Sequence, residues 1–102
     1  MDVPKGEWSD TYPATHDIQE ICDQVKRKVE AKTGRVYDEY KAFFYRVKIT
    51  EMKQYIIKVY VGNDYLHLWV IHFPSVIPTI EVPGVQQNHK WNDLLEPFDH
   101  NN

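Results

Sequence analysis

The chain has 102 residues, of which 42% are hydrophobic and 26% charged. That is enough for one domain with one core and leaves no room for a second, since most domains hold roughly 100 to 150 residues. A formal charge of -3 and a pI near 5.9 exclude the basic footprint of a nucleic-acid binder, whose domain pI usually exceeds about 9.

The opening MDVPKGEWSD is polar and proline-bearing, with no apolar leader, and no apolar run approaches the ~20 residues of a membrane span. A cytoplasmic protein without membrane contact is expected. Residues 1–15 contain Pro4, Gly6 and Pro13 and show no periodicity, so they read as a partly mobile N-terminal arm. From Asp17, the apolar positions Ile18, Ile21, Cys22, Val25 and Val29 recur at helical spacing, with Glu20, Asp23, Gln24, Lys26, Arg27 and Lys28 on the other face. The spacing predicts an amphipathic helix over 17–33, capped by Thr15 or Asp17 and stopped by a left-handed Gly34. Cys22, the single cysteine, lies on the apolar stripe as a small hydrophobe, which fits a reducing compartment.

Beyond Gly34 the period becomes two. Phe43, Tyr45, Val47 and Ile49 face one way and Phe44, Arg46, Lys48 and Thr50 the other. That first strand is half-buried; Tyr55, Ile57, Val59 and Val61 then oppose Ile56, Lys58 and Tyr60 in a second strand. The hairpin between them centres near Glu51-Met52-Lys53 without glycine, proline, asparagine or aspartate. Gly62-Asn63-Asp64 is a turn, after which Tyr65–His72 alternates again. Pro74 and Pro78 bracket a loop, and Thr79–Val82 is a short strand interrupted at Pro83-Gly84 as an edge strand or bulge would be. After Gln86 the chain is polar apart from Trp91, Leu94, Leu95 and Phe98. A single helix followed by an antiparallel meander must bury its stripe against one sheet face, giving an α+β fold. Five or six large side chains sealed there contribute roughly 1.5 to 3 kcal/mol each.

Several of these residues resemble a known pattern. Pro13-Ala14-Thr15, Ile18-Gln19-Glu20-Ile21, Val25-Lys26, Glu30, Lys32-Thr33 and Tyr37 look like the helix region of the stefins, the type 1 cystatins. Ile57-Lys58-Val59, Gly62, His67-Leu68, Val70, Pro74, Gly84 and Phe98 match its sheet. The resemblance covers nearly the whole chain and implies a cystatin-like fold, one N-terminal helix packed across a four- to five-stranded antiparallel sheet, forming a single stefin-type domain over 1–102. It also implies reversible, competitive inhibition of papain-like cysteine proteases of the cathepsin class. Three segments of one sheet edge would plug the cleft: Gly6, Glu7 and Trp8 in the arm, Lys48, Ile49, Thr50, Glu51 and Met52 in the first hairpin, and Phe73, Pro74 and Ser75 in the second. A monomer is implied, with a domain-swapped dimer as the alternative state.

The first hairpin departs from the family, whose tip reads Gln-x-Val-x-Gly, apolar and ended by glycine. If position 52 must be left-handed, Met52 adds roughly 1 to 2 kcal/mol of strain, and an unpartnered Glu51 carboxylate adds several kcal/mol of desolvation. The sum of about 4 to 6 kcal/mol equals roughly 10³ to 10⁴ in dissociation constant. Inhibition is therefore expected to be weakened or altered in specificity, with a non-inhibitory stefin-like binding module as the alternative.

Other chemistry gives way to simpler readings. Cys22 with His16 could mimic a thiol and base, but a stripe cysteine is buried and inert. His67 and His72 point to opposite faces and His89 and His100 sit in polar segments, so no metal site converges. Asp17, Glu20 and Asp23 are solvated partners of the helix dipole, and the four glycines are too scattered for a nucleotide loop. No enzyme activity, cofactor or metal is expected. Trp8, Tyr12 and Trp91 are large aromatics in weakly structured segments, either packed on the sheet or kept for a partner.

Overall fold

The computed structural model describes residues 6–98, in the order β1 (Tyr12–Pro13), α1 (His16–Thr33), β2 (Lys41–Ile49), β3 (Lys53–Tyr60), β4 (Tyr65–Phe73) and β5 (Thr79–His89). Residues 1–5 of the expected arm and His100 lie outside the described residues. The helix begins because Thr15, extended at φ -99°, accepts a hydrogen bond from the Ile18 N–H through its side-chain oxygen. It ends where Gly34 turns left-handed at φ 72° and donates its N–H to Glu30 O. These bounds lie within one residue of the periodicity reading, with Thr15 rather than Asp17 as the cap.

The five strands form one antiparallel sheet in sequence order. Ile18, Cys22, Val25 and Val29 of α1 pack with Tyr55, Ile57 and Val59 of β3, Leu66, Leu68 and Val70 of β4, and Val82 of β5. Gln19 ties the helix to the start of β2: its Nε2 donates to Tyr40 O and its Oε1 accepts from the Ala42 N–H. Lys28 ties it to the far edge, donating to Ile80 O and Glu81 Oε1 at 3.1 Å each.

Three features depart from the strand readings. A bulge between Ala42 and Phe44 turns Ala42 into the core in place of Phe43, and both Phe43 and Phe44 then meet the Trp91 ring, each with centroids 5.1 Å away. The last strand does not stop at Val82. It absorbs Pro83 in a bulge, since Ile71 pairs with Glu81 and Trp69 with Gly84, and it runs on to His89. β3 is also buried on both sides: every residue from Tyr55 to Val59 is buried, so the sheet is covered on both faces there.

The second cover is the C-terminal segment, residues 90–98. Lys58, only 2% exposed, donates to the carbonyl oxygens of Trp91 and Asp93, and burial lowers its pKa against the opposing pull of Asp93. His67, 1% exposed, stacks on His89 at 3.6 Å, while His89 bridges Gln86 and Asp93. Leu95 is buried, and Phe98 meets Trp69 edge-on at 5.5 Å.

Candidate functional site

Antiparallel hairpins that follow one another put alternate turns at the same end of a sheet. Here Ile49 pairs with Lys53, Lys53 with His72 and His72 with Ile80, so the β2–β3 and β4–β5 turns emerge side by side. From β2 to β5 this end spans roughly 15 Å, at about 4.8 Å per strand.

The first turn holds three residues, Thr50–Met52. Thr50 explains how it closes without the usual turn residues. Its N–H donates to Met52 O at 2.8 Å, and its hydroxyl donates to the same carbonyl and accepts from the Met52 N–H. Among the described residues Asn88 is the only non-glycine with positive φ. Met52 is therefore not left-handed, and the strain expected there does not arise. Lys48 and Ile49 belong to β2 rather than to the turn. The Lys48 ammonium is turned sideways, 6.0 Å from the centroid of the Trp8 ring. At the apex itself stands Glu51, exposed and without a hydrogen bond or ion pair among the described residues.

The second turn, residues 74–78, is exposed throughout. Phe73 is half-buried at the end of β4, paired with Thr79. Ser75 shapes the turn by donating its hydroxyl to Ile77 O at 2.6 Å. What projects beyond Phe73-Pro74-Ser75 is Val76, fully exposed, and Ile77, 76% exposed. Neither residue belongs to the three segments expected from the sequence. The signal they leave there is an apolar dipeptide fenced by prolines, which cannot enter a strand ladder.

The aperiodic segment from Gly6 to Pro13 runs along β2. The Gly6 N–H donates to Ile49 O, Trp8 bridges to Lys48, the Ser9 N–H donates to Val47 O, and Tyr12 and Pro13 pair with Tyr45 and Phe44. Backbone hydrogen bonding needs no side-chain periodicity, which is why this strand-like path left no pattern to read. Gly6 has φ 82° with open space where a side chain would stand, so conformation rather than crowding calls for glycine. Glu7 is exposed, and Trp8 packs edge-on to Trp69 at 5.5 Å. Gly6, Glu51 and Pro74 thus belong to neighbouring segments at one end of the sheet.

The remaining reactive side chains lie elsewhere. Burial pushes the Cys22 thiol well above its usual range, which leaves it protonated and unreactive inside the helix–sheet core. Tyr12 packs against Tyr45, and Trp91 against Phe43, Phe44 and Tyr65.

No family model matches the chain. Individual proteins do. Stefin-2 of Mus musculus is 40% identical over 95 residues, 92% of each chain. Cystatin-A of Homo sapiens is 36% identical over 98 residues, 94% of this chain and 99% of that protein. A Sus scrofa protein named leukocyte cysteine proteinase inhibitor 1 is 35% identical over 95 residues, 91% of this chain and 92% of its own.

Proposed function

This chain belongs to the stefin family, the type 1 cystatins, and on that premise we propose that it is a reversible, competitive inhibitor of papain-like cysteine proteases of the cathepsin type, acting as a wedge in the active-site cleft. One observation supports the reading most: the arm at Gly6–Trp8, the Thr50–Met52 turn and the loop after Phe73 lie side by side at one end of the sheet. The wedge comprises Gly6, Glu7 and Trp8, then Lys48 to Met52, then Phe73, Pro74 and Ser75. It forms no bond to the catalytic cysteine and works by covering it, with about 800 Å² buried on each partner. The inhibitor is a single-domain monomer, and its one buried thiol suits the cytosol.

Glu51 modifies the inhibition. Entering a cleft without a cationic partner costs on the order of 3 to 5 kcal/mol, or about two to nearly four decades of affinity. A protease with a basic residue at its cleft rim would pair this carboxylate and turn the cost into selectivity. Titration of papain and several cathepsins should show reversible, competitive inhibition that varies strongly between enzymes. No inhibition at micromolar protein would remove the reading.

The exposed Glu51 apex also favours a second reading, a non-inhibitory binding module on the same frame. A graft of Lys48→Gln, Ile49→Val, Thr50→Val, Glu51→Ala and Met52→Gly separates the two. A graft that inhibits strongly beside a silent parent would place the native protein in the second class. If the first hairpin opens, two chains could exchange elements, and size-exclusion chromatography after mild heating would then show dimers.

A further inference from the structure

Arg46 stands on β2 with no carboxylate partner among the described residues. Its guanidinium instead joins two distant parts of the chain: Nε donates to Ser9 O at 2.8 Å, and Nη1 donates to Leu95 O at 2.7 Å. One carbonyl belongs to the arm and the other to the C-terminal segment. A second tie runs parallel to it. The Trp69 ring receives Trp8 edge-on at 5.5 Å and Phe98 edge-on at 5.5 Å. Ser9, between the two ties, is 5% exposed and exchanges hydrogen bonds with Val47 through both its N–H and its hydroxyl.

We infer that Arg46 and Trp69 form a clasp through which the C-terminal segment at Leu95–Phe98 holds the arm in its binding position before any protease arrives. The inference rests on the reading that Gly6–Trp8 enter the cleft. A planar guanidinium suits the task because its donors are fixed in one fork, so the two carbonyls it grips are fixed relative to each other. An arm that is free before binding must be ordered during it, and the apparent affinity falls in proportion to the fraction of molecules with the arm in place. Arg46 is thus a positioning residue. The tail acts on the wedge from the outer face of the sheet, without being part of the wedge itself.

The test uses the full chain with Arg46→Ala, Arg46→Lys and Phe98→Ala, and papain as the probe enzyme. In the free protein, hydrogen exchange at the Gly6 and Ser9 amides, which report the pairing with Ile49 and Val47, should accelerate at least tenfold in Arg46→Ala and Phe98→Ala. Exchange in β3 and β4 should stay unchanged, and Arg46→Lys should fall between. Papain inhibition should weaken about tenfold in Arg46→Ala and Phe98→Ala, with Arg46→Lys again between. If Arg46→Ala fails to fold, Phe98→Ala carries the comparison alone. Unchanged arm exchange in Phe98→Ala overturns the clasp, and so does a loosened arm with unaltered inhibition. A parent chain that inhibits neither papain nor a cathepsin overturns the proposed function instead. That case is recognisable because exchange is read without any protease.

Discussion

Glu51 stands exposed at the apex of its turn without a partner among the described residues, and its exposure separates two effects that would be mixed at a buried site. Replacing an exposed side chain that has no partner changes stability by about 0.5 kcal/mol or less. In the proposed wedge, the same change removes a carboxylate from the part that would lose its water in a protease cleft. Glu51→Gln should leave thermal unfolding unmoved and tighten papain inhibition about a hundredfold or more. Unmoved inhibition would mean that the apex does not enter the cleft. His67 makes the opposite case, a polar residue whose whole effect is on stability. Burial first, then the neighbouring His89 and Lys58, lower its pKa from 6.5 to about 3, and its Nε2 has no hydrogen-bond partner among the described residues. Between those values the unfolded chain takes up a proton that the folded chain refuses. Stability is therefore full above pH 6.5 and falls as the solution is acidified towards about 3, by at most ~1.4 kcal/mol per pH unit. Urea denaturation at pH 7 and pH 4.5 should show the loss, and His67→Leu should flatten it.

At the scale of elements, the β2–β3 and β4–β5 hairpins show what closes a turn when glycine is absent. In the first, the Thr50 hydroxyl takes the place of a left-handed residue by binding the backbone at Met52 on both sides. In the second, prolines at 74 and 78 keep the loop out of the ladder, and Ser75 folds it so that Val76 and Ile77 project. Two apolar side chains held in water contribute nothing to the folded state and are free to contribute to a complex. Val76→Ser together with Ile77→Ser should change the unfolding midpoint little and weaken papain inhibition roughly tenfold or more, at about 1 kcal/mol per lost apolar contact. Equal inhibition by the double variant would restrict the second prong to Phe73-Pro74-Ser75. The free edge of β5 is guarded by Pro83 in its bulge and by the Lys28 ammonium on Ile80 O, two devices that discourage edge-to-edge pairing.

The whole molecule is a sheet covered twice, by α1 on one face and by residues 90–98 with Trp8 on the other. Removing residues 91–102 would take both carbonyl partners from Lys58 and strip Leu95 and Phe98 from the outer face of the sheet. Lys58 then regains water, so the cost is the lost apolar burial, roughly 1.5 to 3 kcal/mol for each large side chain. The shortened chain should unfold well below the parent in a thermal scan, and an unchanged midpoint would show that the second cover is not structural. Helix, strands and most turns were legible because each writes a local period or a local backbone demand: the stripe of Ile18, Cys22, Val25 and Val29, the alternation from Tyr55 to Val61, and glycine at 34 and 62. The bulge at Phe43 stayed hidden, because it exchanges one apolar residue for another and leaves the composition of the strand untouched. The pairing of Gly6–Ser9 with β2, the grip of Arg46 on both ends of the chain, and the emergence of Val76-Ile77 beside Glu51 were legible in no single segment. Each depends on strand register and on which segments meet across the sheet, and these are settled by contacts between residues far apart in the chain, where a local pattern carries no information.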